Sequence, residues 1–314
     1  MIPIWVVVGL GAQFFWVLSA IIDRYLIEKY FRAEDGTEEG VGALVLFSSF
    51  FAVFLSIGAL LFDTKAIDFS LQTAIFGTCM GLINTLWVLL YLHAIEKTEI
   101  SRAVPVFQTI PIFGFIFGWL FLTESLTMLQ FIGSLTIIIG ALLLSYNFSL
   151  KKFLWVPTLL MLGASVLIAL QEVLFKIIAL DTNFLTSVFW LGIGFALGGT
   201  LLYLTQKRYR TQFHSLIRTK TKSIIGANVF NEVIDTTGNL LISFAVILGP
   251  IALVQSLNAY QPLLLLIVSY ITVFFFGNYL DEDISKQALI QKIIGISVIT
   301  LGSFVLYSSL VEVL

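Results

Sequence analysis

The chain has 314 residues, of which 59% are hydrophobic and only 11% are charged, whereas a soluble domain usually carries about 25% charged residues. This composition excludes an ordinary soluble protein and predicts a polytopic membrane protein. The formal net charge of −2 argues against a nucleic-acid partner, and the single cysteine, Cys79, excludes an intramolecular disulfide.

Apolar runs of about 20 residues, separated by short polar breaks, predict an all-α fold of ten transmembrane helices. The first run is long enough to span a membrane, so we expect a retained helix. Only the breaks Arg24–Gly40 and Gln206–Lys222 are long enough to hold an amphipathic interfacial segment. The expected spans are 3–24, 42–62, 71–95, 99–122, 126–146, 153–178, 184–205, 223–247, 250–276 and 288–310.

The sequence carries no recognisable motif of a catalytic or metal site. Its two histidines, His93 and His214, are far apart in the chain and in the expected topology. The short breaks leave no room for an extramembrane catalytic domain. We therefore expect no enzyme activity, no cofactor and no bound metal.

The two halves of the sequence align with each other. Residues 94–111 run in register with residues 245–262, so that Pro111 falls on Pro262. Ala20 and Asp23 likewise match Ala169 and Glu172. Because each half holds five spans, an odd number, the alignment predicts two inverted five-helix repeats, 1–150 and 151–314, with a site at their interface.

The distribution of lysine and arginine predicts the orientation of the chain. All of these residues except Lys65 and Lys176 lie in the breaks after the odd-numbered spans or at the span ends beside those breaks. Because basic breaks face the cytoplasm, both termini are expected on the extracytoplasmic side of a cell membrane, in a prokaryote the cytoplasmic membrane.

Several local patterns resemble the drug/metabolite transporter superfamily, in particular its ten-span group with two EamA-type repeats. The residues that carry the resemblance are Ala94–Pro111, Thr123–Thr127, the pair Gly133 and Gly140, and the second-half counterparts Pro262, Glu282 and Gly302. The resemblance implies a secondary transporter that moves small metabolites, often exporting amino acids or related solutes, through a central cavity lined by both halves. It also implies cytoplasmic termini, against the charge count. The segment Asp281–Asp283 and the residues after it depart from the shorter first-half loop.

The eighth predicted span contains a polar stripe. On a helix its members fall within an arc of about 100°. A charged group near the centre of a bilayer costs at least about 2.5 kcal/mol, so the stripe is expected to face water, another helix or a bound solute. The members are Asn228, Asn231, Glu232, Asp235 and Asn239. The two carboxylates are candidates for binding a proton or a cationic solute; packing between helices is the structural alternative.

Other spans offer polar and aromatic residues for the same cavity. Asn84, Trp87 and Tyr91 share a face of the third span, and Asn84 matches Asp235 in the repeat. Aromatic faces beside carboxylates suit an amine through cation–π attraction, although Tyr91 could also be an interface anchor. Gln13 and Trp16 of the first span and Gln255 and Asn258 of the ninth are further candidates.

Glu172 and Lys176 lie four residues apart in the sixth span. They are expected either to neutralise each other as a helical pair or to act in gating or coupling. Asp23 and Arg24 occupy the matching place in the first span, where solvation at the interface is the simpler explanation. A freed backbone carbonyl is expected one turn before Pro111 and before Pro262.

Together these observations predict a secondary transporter of small polar or amphiphilic metabolites, such as amino acids or amines, working by alternating access. Proton coupling is one expectation, and an uncoupled uniporter or exchanger of a cationic solute is the alternative. The expected partners are a small-molecule solute, protons and membrane lipid. A non-transporting membrane scaffold and an intramembrane enzyme are the remote alternatives.

Overall fold

The structure is a computed structural model. It describes residues 3–27, 40–64, 70–122, 127–147, 152–219, 222–249, 251–261, 264–265, 267–268, 271 and 285–311. Three places named from the sequence lie outside the described residues: residues 123–126, Pro262 and the acidic segment Asp281–Asp283.

The first half is a series of apolar helices. They are α1 (Ile4–Leu26), α2 (Val41–Phe51), α3 (Val53–Phe62), α4 (Leu71–Lys97), α5 (Ile100–Ala103), a 3₁₀ helix (Val104–Thr109), α6 (Ile110–Leu122) and α7 (Met128–Ser145). Pro105 lies at the start of the 3₁₀ segment, and Pro111 lies just after its end. Because proline has no N–H to donate, the fourth span is not one continuous α-helix.

A short antiparallel hairpin links the two halves. Its strands have two residues each, β1 (Tyr146–Asn147) and β2 (Lys152–Phe153). The second half contains α8 (Trp155–Asp181), α9 (Phe184–Thr205), α10 (Lys207–Thr219), α11 (Lys222–Leu248), α12 (Ile251–Ser256), a 3₁₀ turn (Leu257–Ala259) and α13 (Lys286–Val311).

The described residues contain seven segments long and apolar enough to cross a membrane. They are Ile4–Leu26, Val41–Phe62, Leu71–Lys97, Ile100–Phe121, Trp155–Asp181, Phe184–Thr205 and Lys286–Val305. This confirms a nearly all-helical polytopic membrane protein. α11 is long enough to span, with 27 residues, but its polar stripe keeps it out of this apolar set. The count of ten spans stays a prediction.

The break between α9 and α11 holds a separate helix, as its length predicted. α10 begins with Lys-Arg-Tyr-Arg and packs on α2 and α9. The other long break, Arg24–Gly40, falls mostly outside the described residues.

Helix packing follows the internal repeat. α1 packs along α11, and the equivalent helices of the other half, α8 and α4, pack along each other. α7 lies against its own counterpart α13, and the α2–α3 pair lies against its counterpart α9. Exchanging the halves therefore maps these contacts onto one another, which is the arrangement expected of two related five-helix units.

Small residues allow α4 and α9 to approach closely. A Cβ added to Gly81 would lie 2.3 Å from the backbone nitrogen of Phe195 and 2.4 Å from the Cα of Gly194. Gly198 is packed just as closely against Thr85. Since the obstacle at Gly81 is backbone, no rotamer change can relieve it.

We expect Gly81→Ala to lower the free energy of unfolding by about 1–3 kcal/mol, the usual cost of overpacking. Gly58→Ala is the matched control, because nothing lies within 4 Å of a Cβ at that position of α3. Thermal unfolding of the two variants in detergent measures the difference. An equal effect on both would contradict the close backbone contact.

Candidate functional site

A cavity lies between the two halves, with about 120 Å³ of space open to water-sized molecules. One water needs about 10–15 Å³ by this measure, so the space admits roughly eight waters or a small metabolite. Its walls come from α1, α2, α3, α4, α6, α8, α9 and α11, the 3₁₀ helix after α5 and the 3₁₀ turn after α12.

Four carboxylates face the cavity: Asp23, Glu172, Glu232 and Asp235. Among the described residues that line it, there is no lysine, arginine or histidine. Asp23, Glu232 and Asp235 are close enough to repel one another. Negative charge in a water-poor enclosure is costly unless a cation or proton compensates it, so this cavity is suited to positive charge.

Asp23 is held by donors from two other helices. Asn231 Nδ2 of α11 donates to Asp23 Oδ1 at 2.7 Å, and Tyr91 OH of α4 donates to Oδ2 at 3.2 Å. Its neighbour Arg24 is 3% exposed and donates to the backbone carbonyl of Ile95. The expectation that solvation at the interface explains Asp23 and Arg24 was therefore wrong: both side chains lie within the bundle.

Asp235 is oriented along the seam between α11 and α1. Asn239 Nδ2 donates to Asp235 Oδ2 at 2.7 Å, and Trp16 Nε1 donates to Asn239 Oδ1 at 2.9 Å. Ser19 of α1 faces the same carboxylate. One helical turn thus separates the Ser19 and Asp23 positions on α1, and two amide–carboxylate pairs follow the seam.

Glu232, on the same stripe of α11, accepts a hydrogen bond from Ser48 Oγ of α2. Among the described residues, this bond is a direct polar link between α2 and α11.

Glu172 differs from the other three acids because its Oε2 is buried and has no hydrogen-bond partner in the described part of the chain. Lys176, four residues on, instead donates from Nζ to the carbonyl of Gly249 at 2.9 Å. The helical pair expected as one alternative is therefore not the arrangement seen, and Glu172 keeps an unused acceptor. Beside it, Gln171 Oε1 accepts from Trp87 Nε1 at 2.9 Å.

Aromatic rings form much of the remaining wall. Tyr91 stacks on Phe107 with ring centroids 5.7 Å apart. Trp87 also donates to Asn84 Oδ1 at 3.0 Å, which fixes its ring. The lining aromatic residues are Trp16, Phe51, Trp87, Tyr91, Phe107 and Phe195. Since the Tyr91 hydroxyl bonds to Asp23, this residue is not an interface anchor.

The structure brings most of the predicted site residues together. Those lining the cavity are Trp16, Asn84, Trp87, Tyr91, Glu172, Asn231, Glu232, Asp235, Asn239 and Asn258. Those that do not line it are Gln13, Lys176, Asn228 and Gln255. Asn228, at the edge of the stripe, donates to its own helix at Ile224 O over 3.0 Å.

Gln13 and Gln255 hold the wall in place. Gln13 Nε2 donates to Asn258 Oδ1 at 2.8 Å, and Asn258 Nδ2 donates to Gln255 Oε1 at 2.8 Å. Gln108 Nε2 donates to the Asn258 carbonyl at 2.6 Å. The polar row predicted in the ninth span is therefore part of a network that joins the two halves.

Sequence reasoning missed Asp23, Gln171 and Ser48 as lining residues. The repeat alignment of Asp23 with Glu172 was a signal for the first, and adjacency to Glu172 was a signal for the second. Nothing in the sequence distinguishes Ser48 from Ser49, which is turned away and donates to its own helix at Val45 O.

The sequence profile of the EamA-like transporter family matches residues 3–146. The match covers the first half of the chain. This family is part of the drug/metabolite transporter superfamily, so the match confirms the resemblance drawn from the local patterns of the first half and indicates a transporter of that type.

A likeness of fold extends over nearly the whole chain. A solved structure titled "Crystal structure of protein" aligns over 96% of this chain and 97% of its own, with a TM-score of 0.61 and 14% identity. This likeness shows a shared fold. No curated protein matches the chain by sequence.

A second polar cluster, outside the cavity, was also missed. Glu99 accepts from Lys292 Nζ at 2.6 Å and from Arg102 Nε at 3.1 Å, and Arg102 Nη1 donates to the Tyr146 carbonyl at 3.2 Å. Arg102 and Lys292 are 2% and 1% exposed. Both were expected among the basic residues that mark topology, whereas in the structure they join α5 to α13.

Burial alone would raise the pKa of Glu99, but Lys292 and then Arg102 outweigh it and hold that pKa below its usual value of 4.5. Because the folded-state pKa is depressed, the stabilisation is present above pH 4.5 and is lost as pH falls through the folded-state pKa.

Glu99→Gln should therefore lower stability by on the order of 3 kcal/mol at neutral pH, since it removes the negative charge that two buried cations share. The difference in Tm between wild type and variant should shrink as pH falls below 4.5. A difference that stays constant from pH 7 to pH 3 would contradict an ionised Glu99 in the folded state.

Proposed function

We propose that the protein is a secondary transporter of small organic cations, of the amine class, which it exchanges for protons by alternating access. The observation that carries this proposal is the cavity lined by four carboxylates and, in the part of the chain that the structure describes, by no basic side chain. Such a cavity favours an ammonium group over an anion, whose charge the same carboxylates would repel.

The aromatic walls support the same class of solute. Indole and phenol rings attract cations by about 0.5–2 kcal/mol, more when water is excluded. Trp87, Trp16 and Tyr91 are each fixed by a hydrogen bond to a cavity amide or carboxylate. Rings held in this way lose little side-chain entropy when the solute binds, which favours affinity.

Carboxylates that are enclosed and close to one another also support exchange with protons. When the cation leaves, protonation is the cheapest way to neutralise groups such as Asp23 and Asp235. A proton and an amine would then compete for the same sites, which couples their movement in opposite directions.

An asymmetry between the halves supports alternating access. α4 packs tightly on α9 through Gly81 and Gly194. The repeat-related pair, α11 and α2, has much less extensive contact among the described residues, although Ser48 bonds Glu232 across it. Exchanging the roles of these two pairs would close the cavity on one side and open it on the other.

The test uses proteoliposomes and uptake of a radiolabelled monoamine under an imposed pH gradient. Uptake by the wild type should follow the gradient. Asp235→Asn and Glu172→Gln should each lower uptake at subsaturating amine about 30-fold or more, since losing one partner of a buried charge pair costs at least about 2 kcal/mol.

Asp181→Asn is the matched control: the same chemical change at an exposed carboxyl group, at the end of α8 and outside the cavity. Its uptake should equal that of the wild type. If amine uptake does not depend on the pH gradient but is lost in the cavity variants, the protein transports cations without proton exchange. Uptake unchanged in both cavity variants would overturn the proposal.

A further inference from the structure

α10 has one face packed on the transmembrane bundle. Gln212 and Leu216 are 8% and 0% exposed, and Phe213 meets Phe50 with ring centroids 5.3 Å apart. Tyr209 OH is 3.1 Å from His93 Nε2 of α4. A Cβ at Gly42 of α2 would lie 2.3 Å from the ring of Tyr209, so the helix is seated closely.

The opposite face of α10 is basic. At about 100° per residue, Arg210, Lys207 and Arg218 fall within an arc of about 80°. Lys207 and Arg218 are exposed, and Arg210 lies over the ring of Tyr203, 5.8 Å from its centroid. Lys222, also exposed, begins the next helix.

No acidic residue lies near this face in sequence. The chain contains no Asp or Glu between Asp181 and Glu232, a stretch that includes all of α9, α10 and the start of α11. The acid that faces α10 from α4 is Glu96, which pairs with His93 Nδ1 at 3.1 Å on the packed side. The positive charge of the outer face is therefore not cancelled by its own helix or its sequence neighbours.

The position of α10 in the chain indicates which ligand this basic face can contact. The helix lies between the end of α9 at Thr205 and the start of α11 at Lys222, so it lies at a membrane surface, at the depth of lipid headgroups. We infer that the outer face of α10 binds the headgroups of anionic phospholipids, with Lys207, Arg210 and Arg218 as the ligands of the phosphate.

Charge complementarity sets the size of the effect. A Lys or Arg near an anionic bilayer surface contributes about 1 kcal/mol to the binding free energy, which is about a fivefold change in affinity. Removing Lys207 and Arg218 together should thus weaken binding about 25-fold. Because a ligand of the folded state raises its stability, the loss is measurable as a smaller shift in Tm.

The experiment titrates phosphatidylglycerol or phosphatidylcholine, at equal mole fraction, into the full-length protein in a zwitterionic detergent. Phosphatidylglycerol should raise the Tm of the wild type, phosphatidylcholine should not, and 0.5 M salt should reduce the shift (about a 4 Å Debye length). The variant Lys207→Gln/Arg218→Gln should need about 25-fold more phosphatidylglycerol for the same shift, with unchanged Tm in phosphatidylcholine.

The control is Lys97→Gln/Lys286→Gln, which removes the same charge from exposed positions at the ends of α4 and α13 and should respond like the wild type. An equal loss in both double variants would overturn the assignment to α10 in favour of general surface charge. If inorganic phosphate stabilises the protein as much as phosphatidylglycerol does, the ligand of α10 is a soluble anion and the lipid assignment is wrong. An unchanged response of the α10 variant to phosphatidylglycerol would also overturn the inference.

Discussion

The burial of carboxylates among transmembrane helices is the constraint on which the rest of this structure depends. Each acid is positioned by a neighbouring donor or left facing the cavity: Asn231 bonds Asp23, Asn239 bonds Asp235, and Glu172 has an oxygen that no described residue satisfies. An apolar helix in place of α11 would avoid the free-energy cost of burying these polar groups. Ionisable residues inside a membrane span are unfavourable, and they commonly mark a site that meets a solute or an ion.

The internal repeat explains how these groups come to face each other. Asp23 and Glu172 occupy matching positions in the first helix of each half, and α1 packs on α11 as α8 packs on α4. Aligned positions therefore converge on one cavity from opposite sides. The halves differ at one aligned pair, since Asn84 stands where the second half has Asp235, which concentrates the charge along α1 and α11.

The sequence was sufficient for the membrane class, the polar stripe and most of the cavity lining, because hydropathy and helical periodicity are local properties that survive folding. It was insufficient wherever a side chain had a choice of neighbours. Asn228 shares the face of the stripe but donates a hydrogen bond to its own helix. Gln13 donates a hydrogen bond to Asn258 and does not line the cavity. Asp23 lay near a predicted helix end, and only the packing of α4 and α11 shows that it is enclosed. Lys292 lies 193 residues from Glu99 in the chain, and no local pattern predicts that it meets Glu99 and Arg102.

The central claim is that the cavity selects positive charge, and the most direct measurement compares two ligands that differ only in that charge. The thermal stability of the purified protein is measured with a primary amine and with the alcohol of the same carbon skeleton. The account predicts that the amine raises Tm, that the alcohol does not, and that Asp235→Asn removes the difference. Equal stabilisation by both ligands, or stabilisation by the corresponding carboxylic acid, would contradict it.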